Sequence, residues 1–168
     1  MVEMAVKQDF TPEEWSELVS APLLASVAVS AAEPSGLWGT VQEGYANASS
    51  IVGGRSHDLP LVRDVVAALS TSDGRQLAQA KLKARIADRH REQIVSACLA
   101  GLVDIGRIAD AKAGVDAAGF KVWIRDNAVA VAEAANEGGF LGFGGELVSE
   151  KERATLQQIT SALGLDTA

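Results

Sequence analysis

Apolar residues recur every third or fourth position in segment after segment of this chain, and no segment alternates apolar with polar residues as a strand would. A period near 3.6 gathers such residues onto one stripe of an α-helix, whereas a half-buried strand needs a period of two. The expected fold class is therefore all-α, with no sheet.

Local signals divide the pattern into helices. Thr11-Pro12-Glu13-Glu14 supplies a hydroxyl cap, a proline in the first turn and a glutamate three residues after the cap, which together make a capping box. The helix it opens runs to about Ala32. Pro22 removes one backbone donor inside it, so a kink or a division is expected near Ser20 and Ala21. Glu33-Pro34-Ser35-Gly36 is the turn that ends it. A second helix carries Leu37, Val41, Tyr45 and Ala48 and stops at Gly53-Gly54. A third begins near Asp58 with Leu61, Val62, Val65, Val66 and Leu69 on one face, and a fourth runs from about Arg75 to Ala87.

The fifth helix, from about Arg89 to Ala111, buries Ile94, Cys98, Leu102, Ile105 and Ala109. Gly101 and Gly106 stand inside it despite their cost to a helix, which predicts another helix crossing at short range. The sixth, from about Asp116 to Asn136, presents Phe120, Ile124, Asn127, Val131 and Ala135. Its amide side chain then needs a partner in the core or at its edge. Ser149-Glu150-Lys151-Glu152 opens the last helix as a second capping box, with Leu156, Ile159 and Leu163 inward and Gly164 as its stop. About seven helices joined by short polar turns, with no fixed repeat, predict a single irregular bundle over residues 1–168. Residues 1–10 are expected to be flexible, and residues 137–148 to form a glycine-rich connector.

Composition narrows the function classes. The chain is 48% hydrophobic but only 5% aromatic, which suits helices packed closely through small side chains. A net charge of -7 argues against nucleic acid or an anionic lipid surface as the main partner. Cys98 is the single cysteine; in the run Ala97-Cys98-Leu99-Ala100 it reads as a buried small hydrophobe, and no intramolecular disulfide is available to it. The first nine residues lack the basic start and apolar core of a secretory signal. The longest weakly polar run, Ala21 to Ala32, is short for a bilayer and rich in Ala and Ser. No transmembrane segment and a cytoplasmic location are the expectations.

The chemistry-bearing residue types form no catalytic motif. Gly138 to Gly145 lacks the Gly-Lys-Ser/Thr ending of a phosphate loop and follows a helix where that loop follows a strand. His57 and His90 belong to no spaced ligand pair, and no serine sits in a nucleophile elbow. Between Arg75 and Arg91 the chain gathers Arg75, Lys81, Lys83, Arg85, Arg89, His90 and Arg91 against Asp88. On a helix this is ordinarily a solvated face, and without interleaved aromatics it offers no stacking platform for nucleic acid.

Two features remain. In Glu137-Gly-Gly-Phe-Leu-Gly-Phe-Gly-Gly-Glu146, Phe140, Leu141 and Phe143 stand among five glycines. Burying the three contributes about 5–8 kcal/mol before the entropy of ordering the loop, so they either pack inward or present an apolar patch to a partner, a lipid or a small ligand. Second, Ser30 to Trp38 and Ile108 to Asp116 each place small residues and an acid where a helix ends. Carboxylates at such turns can hold a hard divalent cation, and they are also ordinary turn residues.

At Ala31 to Gly36 and Glu137 to Gly145 the chain resembles a group of uncharacterised bacterial all-helical proteins, over most of its length. Its paired helix-acid-turn pattern is also similar to the TerB-like fold of tellurite-resistance proteins. The second resemblance implies a stress-response role and an acidic metal site, carried here by Glu33, Asp110 and Asp116. Glu33-Pro34 and Asp110-Ala111 stand where that fold has Asp-Gly.

Three functions follow as expectations. The first is a noncatalytic helical module binding another protein or a second copy of itself, with Phe140, Leu141 and Phe143 in the interface, and no cofactor. The second is a metal-dependent stress-response protein, and the third is a bundle enclosing a small apolar ligand.

Overall fold

A computed structural model describes residues 4–32, 54–137 and 150–165. Among them are six α-helices and no strand: α1 (Pro12–Ala32), α2 (Pro60–Leu69), α3 (Ser72–Ile86), α4 (Arg91–Lys112), α5 (Ala117–Glu137) and α6 (Glu150–Ala162). Single 3-10 turns lie at Lys7–Asp9, Gly54–Ser56 and Gly114–Asp116. The all-α expectation holds. The helix expected over Leu37 to Ala48 falls outside the described residues, as does Ser149 of the second capping box.

The bundle is built around α1. Every residue from Leu18 to Ala31 is buried, with α4 packed most extensively against it, α3 and α5 next, and α6 and α2 at the margins. A helix that is apolar all round belongs inside. Three of its serines do not break this rule, because they bond within the helix: Ser16, Ser20 and Ser26 donate their hydroxyls to the carbonyls of Glu13, Glu17 and Pro22 at 2.7, 2.7 and 2.8 Å.

The structure bears on three sequence expectations about this end of the chain. Pro22 does not divide α1, which runs unbroken from Pro12 to Ala32. Enclosure by neighbouring helices outweighs the ~3 kcal/mol that an internal proline costs. The apolar stretch is also longer than Ala21 to Ala32: α1 is the one described helix long and apolar enough to cross a membrane. Most of its apolar window, 89%, is buried inside the fold, so within this bundle it is a core helix. Finally, the segment from Met4 to Phe10, inside the stretch expected to be flexible, contributes two side chains to the core. Ala5 and Phe10 belong to the core, at 5% and 8% exposure.

The glycines of α4 do what their cost implied. A Cβ on Gly101 would stand 2.9 Å from Leu24 Cδ1 of α1 and 3.0 Å from Arg85 Nε of α3. One on Gly106 would stand 3.4 Å from the carbonyl of Leu163, beyond the end of α6. Close crossings of α4 thus need the missing side chains. Asn127 is buried and donates its Nδ2 to the carbonyl of Trp123 at 2.8 Å, the partner that burial of an amide requires. At Gly164, φ is +72°, and Leu165 N–H donates back to the Thr160 carbonyl, which is the stop expected there.

Candidate functional site

The acidic end of α1 is held by the basic residues of α3 and α4. Glu17 lies 3.2 Å from Lys81 Nζ and 2.9 Å from Arg85 Nη2, and Lys81 also reaches Glu13 at 2.5 Å. Lys112 Nζ is 2.6 Å from Glu14. The Lys112 hydrogen bond, with the Thr11 amide, holds the Glu14 carboxyl below the usual range, and the Glu13 carboxylate raises Lys81. Arg75 donates to the carbonyls of Leu69 and Ser70 at the end of α2. The basic stretch from Arg75 to Arg91 is therefore not one solvated face: Lys81 and Arg85 turn inward, while Lys83, Arg89, His90 and Arg91 are exposed.

The chemically suggestive single residues are in structural use. Cys98 is fully buried, and burial pushes its thiol up to about 12, with Arg85 acting weakly in the opposite direction. A thiol in that state is not a nucleophile at neutral pH. His57 accepts the Leu59 N–H on Nδ1 at 3.1 Å, ahead of α2. The backbone N–H of His90 donates to Gln93 Oε1 at the start of α4.

The acids proposed for a metal have separate partners. Asp110 pairs with Lys121 Nζ at 2.5 Å, and Lys121 is itself buried. Asp116, 3% exposed, accepts the N–H of Ala5 at 2.8 Å. Glu33 lies outside the described residues. Among those described, no three His, Cys, Asp or Glu side chains come together as metal ligands. Phe140, Leu141 and Phe143 also lie outside the described residues.

What the structure adds is a groove that sequence reasoning missed. It has a volume of about 630 Å³ and runs between Lys7 and Gln8 of the amino-terminal strap, Trp15 of α1, Asp64, Ala67 and Ala68 of α2, Thr71 at the corner, and Asp73, Gly74 and Leu77 of α3. Its floor is set by the corner between α2 and α3. Thr71 caps α3 by accepting the Gly74 N–H at 3.0 Å, and Gly74 presses against the Ala68 carbonyl. Its wall is Trp15, 7% exposed, over whose ring Lys7 Nζ sits 5.6 Å from the centroid. An ammonium over an indole face is a cation–π contact. The only sequence hint of this arrangement was the tryptophan next to an acidic helix start.

The fold and this site define a class: an all-helical bundle wound on one buried helix, with a partly acidic surface groove. Compared with known proteins, the chain matches no family model, no curated protein and no solved structure.

Proposed function

We propose that the chain is a noncatalytic helical module that works by binding another protein, in the cytoplasmic setting expected from its sequence. The observation that carries this reading is the groove between the strap, α2 and α3, which is of a size and polarity to take an extended chain and already has a lysine of this protein seated on Trp15. Mixed polarity with one aromatic anchor is how recognition surfaces divide orientation from affinity.

The test compares proteins captured by the wild-type chain, by Asp64→Lys in the groove, and by a Phe140→Ser, Phe143→Ser pair in the glycine-rich segment, with each fold checked by circular dichroism. Loss of a specific partner in the first variant supports the groove, and loss in the second supports the glycine-rich segment. Capture unchanged by both removes the reading.

A further inference from the structure

The amino-terminal strap is held in a way that reads its backbone and one side chain in register. Val6 is extended, with φ -133° and ψ 167°, so the N–H groups of Ala5 and Lys7 leave the same edge of the chain. Both are taken by carboxylates of the body: Ala5 N–H by Asp116 at 2.8 Å and Lys7 N–H by Asp64 at 3.0 Å. The intervening Val6 N–H is taken inside the strap, by Asp9 at 2.8 Å. Lys7 is thus recognised twice, its amide by Asp64 and its ammonium by the Trp15 ring. The groove continues past it toward Asp73 and Leu77, the latter 37% exposed.

We propose that this is a peptide site occupied in cis: residues 5–8 are a built-in competitor, and the groove accepts a lysine-bearing segment of a partner, extended up to its lysine and turning after it as Lys7–Asp9 does, once the strap peels back toward Phe10. The inference rests on the interaction-module reading and names the chemistry of its partner. Charge and donor pattern select that partner. Two carboxylates spaced for amides two residues apart fit an extended backbone, and an indole face beside them fits an ammonium. A buried Phe10 marks where peeling stops.

The experiment uses the full chain, isotopically labelled for NMR, and a capped synthetic peptide of residues 4–10 as the probe. Lys7→Glu in the protein weakens the cis strap at an exposed residue and changes none of the groove residues that α1, α2 and α3 contribute. The peptide is expected to bind Lys7→Glu about threefold or more tightly than wild type, an increment set by the loss of one exposed cation–π contact. Its shifts should map to the Trp15 indole and to residues 64–77, and Asp64→Lys should abolish them. A peptide carrying Glu in place of its lysine should bind at least about threefold more weakly. Absence of saturable shifts in the Lys7→Glu chain, or equal binding of the lysine and glutamate peptides, overturns the proposal. Saturable binding of a natural partner on another face would leave the interaction module standing and remove the cis-occupied groove alone.

Discussion

Gly74 faces the carbonyl of Ala68 so closely that a Cβ placed on it would stand 1.9 Å from that oxygen. The contact makes the sharp corner between α2 and α3, and backbone on both sides leaves nothing flexible to yield. Gly74→Ala is expected to cost about 3 kcal/mol or more in urea unfolding. Gly114→Ala is the comparison: φ there is +53° but nothing lies within 4 Å of the new atom, so only the backbone penalty of about 1–2 kcal/mol applies. Equal costs would show that the corner is not steric.

The bond from Ala5 to Asp116 closes the strap onto the start of α5. Asp116→Ala leaves a buried N–H without its acceptor and is expected to cost about 1–3 kcal/mol. Asp116→Asn retains an oxygen and should cost less. Amide hydrogen exchange at Ala5 and Lys7 is the discriminating measurement, because the alanine variant should expose Ala5 before any other core amide.

Glu17, with its side chain 15% exposed, joins α1 to both Lys81 and Arg85. Replacing it by Gln keeps the shape and removes the charge, at an expected cost of about 2 kcal/mol. The difference from wild type should shrink at high salt, since the pair is only partly enclosed. A salt-independent difference would assign the loss to packing.

Stability should fall on both sides of neutral pH. On the acid side, Glu14 is held below its ordinary 4.5 in the folded chain, so its contribution is present above that value and is lost as pH falls through the folded one. On the alkaline side, Lys81 is raised above 10.5, so its contribution is lost as pH rises through its folded value. Cys98 adds a further loss. The unfolded thiol ionises near 9 while the folded one holds its proton to about 12, so unfolding becomes easier by up to ~1.4 kcal/mol per pH across that window. Unfolding titrations of wild type and Cys98→Ala should differ in slope above pH 9 and agree in slope below it. Thiol reagents should modify native Cys98 far more slowly than the urea-unfolded chain.

The helices were readable because their start and stop chemistry is local. At Thr11 the box closes as its residue types imply, with Thr11 N–H donating to Glu14 Oε2 at 2.9 Å and Glu14 N–H donating to Thr11 Oγ1 at 3.2 Å. Gly101 predicted a close crossing but could not say that Leu24 makes it. Where local rules failed, tertiary enclosure had overridden them. Pro22 stays helical within a fully buried stretch of α1, and Gly74 sits inside the first turn of α3 instead of before it, since the corner needs a residue without a side chain.

The groove was opaque for a different reason. Asp64 and Asp116 acquire their roles from amides 57 and 111 positions away, and no spacing rule connects an aspartate to an unspecified N–H that distant. The TerB-like resemblance implied a cation at Asp116; the partner seen there is a peptide hydrogen, the N–H of Ala5. Lys81 and Arg85 likewise read as surface charge until α1 brought Glu13 and Glu17 beside them.

The position of α1 in the chain also sets a problem of timing. During synthesis it leaves the ribosome before each of the described helices that enclose it, with no polar face to turn to water between Leu18 and Ala31. Its largest interface waits for α4, and the strap ahead of it cannot be fastened at Ala5 until Asp116 has been made, more than a hundred residues later. A nascent chain halted before Lys112 should therefore be a client for holdase chaperones, whereas the finished one shields the same helix on every side.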